Sequence, residues 1–117
     1  MIRAELERLW NTCRWSWEGW CTAWKTEKSL RQWTIVCLLS CALALILDLS
    51  RGERALMLAL SVLVVASELI NTAIERTVDL VTKETQPLAK QAKDTGSAFV
   101  ALTAIAGGIA WIAILFG

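Results

Sequence analysis

The sequence predicts an all-α membrane protein: an N-terminal amphipathic surface helix plus three transmembrane helices, packed against further copies of itself. Three observations lead there. Of 117 residues, 56% are hydrophobic and mean hydropathy is +0.48. A soluble domain this small cannot hide so much apolar surface. Three apolar runs, at 33–49, 55–75 and 96–116, approach the ~20 residues a helix needs to cross a ~30 Å hydrocarbon layer. Basic residues then divide unevenly among the segments between those runs.

Residues 1–30 do not read as a span. Leu6, Trp10, Cys13, Trp17, Trp20 and Trp24 recur at alternating steps of four and three, which puts a tryptophan-rich stripe on one helix face. Charge occupies the opposite face, and tryptophan rings favour the membrane–water boundary. Trp15 falls off the stripe, either as a second interfacial anchor or to serve something on the cytoplasmic side. No signal-peptide pattern opens the chain. In the first run, Trp33 to Leu49, Cys37 and Cys41 read as small soft hydrophobes. The four cysteines form no CxxC pair and histidine is absent, so neither a zinc site nor a disulfide framework is expected.

The second run, 55–75, begins ALMLALSVLVVAS and ends ELINTAIE. Residues 76–95 read as a polar loop, in which Pro87 opens a short surface helix, LAKQAKD. The third run carries Ala104, Ala106, Gly107, Gly108 and Ala110, small residues that let membrane helices approach closely. All 117 residues make one membrane domain. Arg3, Arg8, Arg14, Lys25, Lys28 and Arg31 precede the first run, and Arg76, Lys83, Lys90 and Lys93 lie between the second and third. Only Arg51 and Arg54 separate the first two. The positive-inside rule therefore puts the N-terminus and the 76–95 loop in the cytoplasm. A net charge of +1 gives no signal for nucleic acid.

Chemistry concentrates in ELINTAIE. Glu68 and Glu75, seven residues apart, share a helix face with Asn71. Their axial separation is about 10 Å, with Glu75 near the cytoplasmic boundary and Glu68 deeper. An acid at the membrane centre costs about 2.5–3.5 kcal/mol, against the ~0.3–0.6 kcal/mol that each Leu or Ile returns. A single polar residue could simply join helices by a hydrogen bond. Two acids and an amide on one face point instead to a site. Hard oxygen donors suit magnesium, and magnesium bridges carboxylates to phosphates. Glu27, Lys93 and Asp94 fall at the same depth. Phosphoryl transfer asks for such a positioned metal, cation and base, with Glu68 placed to deprotonate a lipid hydroxyl. No P-loop or protein-kinase signature is present. A non-enzymatic oligomeric transporter, coupling protons through Glu68, is the rival from another class.

ELINTAIE with VDL at 78–80, AKDTGSAFV at 92–100, and SWEGWCTAW at 16–24 followed by Glu27 and RQ at 31–32 resembles the prokaryotic diacylglycerol kinase family. The resemblance extends from about Arg8 to Trp111. It implies a homotrimeric, multi-pass lipid kinase of the bacterial cytoplasmic (inner) membrane that uses Mg-ATP. Diacylglycerol is the expected acceptor, yielding phosphatidic acid, and undecaprenol is the alternative within the family. Carried over by motif, Glu68 is the general base. Glu27 and Glu75 hold the metal. ATP meets Arg8, Trp15, Glu27, Glu75, Glu84, Lys93 and Asp94. The lipid meets Arg8, Glu68, Asn71, Ser97 and Trp111. Trp33 after RQ, KQ at 90–91 and Gln86 before Pro-Leu depart from common family residues.

Overall fold

The computed structural model describes residues 1–117. Four helices follow one another: α1 (Ile2–Thr26), α2 (Lys28–Ile46), α3 (Arg51–Val81) and α4 (Pro87–Phe116). The last three are long and apolar enough to cross a membrane. Helices are what an apolar solvent demands, because each satisfies its own backbone hydrogen bonds. The hydroxyls follow the same rule: Thr34 donates to Leu30 O, Ser61 to Met57 O and Ser67 to Val64 O.

α3 is the central element, packed against both α2 and α4. Its inward stripe runs Met57, Ser61, Val64, Glu68 and Asn71, all buried, and ends at half-buried Glu75. The stripe is apolar or small toward one end of the bundle and polar toward the other. α4 contributes buried Gly96 and Val100, and α2 contributes Leu30, Cys37 and Ala44. Only 13 of 117 residues are buried, so the remaining apolar perimeter faces outward, as lipid-facing or partner-facing surface requires.

Between α1 and α2 stands a single extended residue, Glu27, at φ −105° and ψ 108°. Extents of 48 × 47 × 24 Å are too broad for three parallel helices about 10 Å apart, so α1 leaves the bundle at a steep angle. The Arg31 guanidinium donates to the carbonyls of Trp24 (2.5 Å) and Lys25 (3.3 Å), satisfying acceptors that the end of α1 would otherwise leave bare. The expected stripe on α1 is exposed at Leu6, Trp10 and Trp17, while Trp20 and Trp24 stack at 5.7 Å. Charged residues along α1 pair Arg3 with Glu7, Arg8 with Glu5 and Arg14 with Glu18.

Helix boundaries differ from the sequence expectation at several positions: α1 ends at Thr26 instead of 30, and α3 starts at Arg51 instead of 55. α2 covers 28–46 instead of 33–49. It starts in a polar turn, and it stops because Ser50 caps α3: Ser50 Oγ accepts from the Glu53 amide while Glu53 accepts from the Ser50 amide. Arg54 closes the other side of this turn, donating to Ala44 O (2.9 Å) and Leu47 O (3.3 Å). The expected loop at 76–95 is mostly helix. α3 runs on to Val81, only 82–86 connect, and α4 starts at Pro87. The expected separate surface helix LAKQAKD is the opening of α4, since no proline follows it, Lys90 pairs with Asp94 one turn on, and the helix continues through Gly96. At 31 residues, α3 is about 46 Å long, so its ends project beyond a ~30 Å hydrocarbon layer.

The capping box gives a direct check. Ser50→Ala should lower stability by about 1 kcal/mol, read as an earlier midpoint in detergent-solubilised unfolding followed by circular dichroism.

Candidate functional site

At the polar end of the bundle a cleft of about 310 Å³ opens among α2, α3 and α4, lined by Ser29, Trp33, Glu68, Asn71, Glu75, Ser97, Val100 and Ala101. Four of these, Glu68, Asn71, Glu75 and Ser97, are site residues expected from the sequence. The unbroken course of α3 brings three of them to one face, and α4 adds Ser97.

Glu68 is 4% exposed, and its Oε1 accepts a hydrogen bond from the Ser29 hydroxyl. Ser29 is the second residue of α2, so the acid meets the amide-rich end of that helix, where the macrodipole attracts negative charge. Asn71 Nδ2 donates to Glu75 Oε1 at 3.3 Å, tying the amide to the shallower acid. Asn71 Oδ1 is buried without a partner and lies against the backbone of Gly96. A Cβ at position 96 would collide with that oxygen. Glycine there lets α4 close on α3 at the level of the acids.

Glu27 lies outside this cleft lining, at the α1–α2 break. Arg76, the residue after Glu75, donates to Thr26 Oγ1 (2.7 Å) and to Glu27 Oε1 (3.3 Å). This pair fastens the break to α3 and ties the backbone beside Glu75 to Glu27. It is partly solvated, worth only about 0–1 kcal/mol, and open to exchange for another ionic partner.

A second, charged cleft of about 200 Å³ surrounds the α3–α4 connection. Glu84, Lys93 and Asp94 line it, together with Asp79, Thr82, Lys83 and Lys90. Lys93 pairs with Asp79 at 2.6 Å, and Asp94 pairs with Lys90. These expected nucleotide-side residues therefore gather together, but in a cleft separate from Glu68. Arg8 and Trp15 sit exposed on α1 and line neither cleft. Trp111 lies on an apolar groove between the spans, where its indole N–H donates to Ser40 Oγ at 2.8 Å. Trp33 lines both that groove and the Glu68 cleft, joining the two.

The donor set fits a hard cation. Carboxylates and the orphaned buried amide oxygen of Asn71 are oxygen ligands. No three acidic, histidine or cysteine side chains converge as a self-sufficient metal cage.

Sequence reasoning missed Ser29, Arg76 and Asp79. Nothing marks one serine in a helix start as the partner of an acid on another helix. Arg76 carried a usable signal, being a cation beside Glu75 at the level of Glu27.

The family model described as prokaryotic diacylglycerol kinase matches residues 14–115. The chain is similar to the diacylglycerol kinase of Pseudomonas aeruginosa, with 46% identity over 114 residues, covering 96% of this chain and 91% of the relative. It is 35% identical over 109 residues to the diacylglycerol kinase of Escherichia coli K12, covering 93% and 89% of the two chains. With that of Helicobacter pylori 26695 it shares 39% over 92 residues, covering 79% and 72%.

The close approach at Gly96 yields a stability test. Gly96→Ala should displace Asn71 and cost about 1–3 kcal/mol, as overpacking of a well-filled interior does, measured as a lower thermal midpoint of the purified protein in detergent.

Proposed function

The chain belongs to the prokaryotic diacylglycerol kinase family, and on that premise we propose that it transfers the γ-phosphoryl group of Mg-ATP to the hydroxyl of diacylglycerol, giving phosphatidic acid and ADP. The observation that carries this reading is the buried Glu68 carboxylate, set in a cleft with Asn71, Glu75 and Ser97 inside an otherwise apolar bundle. So expensive a group is retained where it acts.

Depth assigns the roles. Glu68 sits about 10 Å deeper along α3 than Glu75, at a level a lipid hydroxyl reaches. It takes the hydroxyl proton as that oxygen attacks the γ-phosphorus and the bond to the ADP oxygen breaks. Asn71 holds Glu75 in place and lines the path of the acceptor. Glu75 and Glu27 would hold magnesium, which would supply positive charge to the phosphate oxygens. For Glu27 to take part, Arg76 must release it, and the weakness of an exposed ion pair makes that exchange inexpensive. Lys93 and Asp94 offer a cation and an acceptor to the nucleotide after giving up Asp79 and Lys90. The groove that shares Trp33 with the cleft and reaches Trp111 receives the apolar part of the lipid.

In this reading the enzyme lies in the bacterial inner membrane with α1 along the cytoplasmic surface, an orientation that the distribution of Lys and Arg supports. A homotrimer covers apolar perimeter that one copy leaves open and lets Arg8 and Trp15 of α1 serve a site they do not line within their own chain. The kinase relatives weigh against a proton-coupled transporter.

Glu68→Gln should reduce lipid phosphorylation by about 10²–10⁴-fold, the usual contribution of a general base, with the oligomer intact by size-exclusion chromatography. An active variant would remove the base assignment. Assay of purified protein with each lipid alcohol should show faster turnover of diacylglycerol than of undecaprenol; the reverse order would overturn the acceptor proposed here.

A further inference from the structure

Glu68 has one hydrogen-bond partner in the protein, and it comes from another helix. The Ser29 hydroxyl donates to Oε1. No protein group donates to Oε2, yet Asn71 Oδ1 is the only buried side-chain polar atom without a partner. Oε2 is therefore not fully enclosed, and Glu68 lines the cleft. The two carboxylate oxygens are thus unlike: one is anchored, the other free to react.

Anchoring addresses a real weakness. A glutamate has three side-chain torsions, and its terminal one is broad. In a cleft of about 310 Å³, an untethered carboxylate would sample many orientations unsuited to proton transfer. Ser29 is well placed to hold it. It is the second residue of α2, two residues past the Glu27 break, and the adjoining turn is fixed by Arg31 on the end of α1 and by buried Leu30. A hydroxyl on so constrained a backbone is a fixed donor.

We propose that Ser29 is a positioning residue for Glu68: its hydroxyl holds Oε1 so that Oε2 faces the cleft as the proton-accepting atom. This rests on the reading of Glu68 as general base. The competing account is that Ser29 only satisfies a buried acid, which the same hydrogen bond would also do. The two differ in what they move. Positioning acts on the chemical step once both substrates are bound, whereas satisfaction acts on stability.

Ser29→Ala, Ser29→Thr and Glu68→Gln would each be assayed as full-length protein in mixed micelles, with thermal midpoints measured alongside. Ser29→Ala should lower kcat by about 10- to 100-fold, in line with the cost of a misplaced reacting group, while KM for ATP and for lipid stays within about twofold. Ser29→Thr, which keeps the hydroxyl, should recover most of the loss. The infrared carboxylate band assigned by its disappearance in Glu68→Gln should shift in Ser29→Ala and return in Ser29→Thr. Full activity of Ser29→Ala with an unmoved band overturns the proposal. So does a loss that threonine does not restore and that follows the thermal midpoint. An active Glu68→Gln overturns the base reading itself, and is recognised independently of either Ser29 variant.

Discussion

One extended residue, Glu27, separates a helix that leaves the bundle from a helix that joins it, and much of the site follows from where that break falls. α2 begins immediately after it, so Ser29 meets Glu68 at the start of a helix. The break also exposes a carboxylate beside the end of α3, where Arg76 reaches it. Two arginines secure the joint from opposite sides, Arg31 through α1 carbonyls and Arg76 through Thr26 and Glu27. Moving the break by one residue would rotate the start of α2 by about 100° and turn Ser29 away from α3. The joint and the acid are one construction.

The stripe along α3 gives this construction its axis. A helix face that runs Met57, Ser61, Val64 and then Glu68, Asn71, Glu75 combines membrane packing and chemistry in a single periodicity. The first half is apolar or small, and the second half carries the acids and the amide. In lipid, packing and hydrogen bonds hold helices together with little hydrophobic driving force between them. The tie between Ser29 and Glu68 therefore contributes to holding α2 and α3 together. The charged cleft at the α3–α4 connection is built differently, from exposed pairs that shift at little cost.

Most of this fold was legible in the sequence because its largest signals are local. Apolar runs of membrane length located α2, α3 and α4, and a step-of-three-and-four tryptophan pattern located α1. The spacing of Glu68, Asn71 and Glu75 sufficed to put them on one face. Boundaries were less legible where polarity and helicity part company. Residues 76–81 and 87–95 are polar yet helical, since leaving the hydrocarbon does not oblige a helix to stop. The Glu27 break has neither proline nor glycine to announce it. Ser29 and Arg76 act across elements, and a pairing between helices leaves no trace in either local pattern. Arg8 and Trp15 stand on a helix that splays away and line neither cleft of this chain.

Gly96 carries a different kind of constraint. The space it leaves is filled by Asn71 Oδ1, so the two positions share one volume. A side chain gained at 96 pushes the Asn71 amide aside unless position 71 is shortened, and Asn71 in turn steadies Glu75. For a lineage drifting through sequence space, the pair behaves as a single character with two letters. Any path between two workable states either changes both at once or passes through a protein whose acids are out of place.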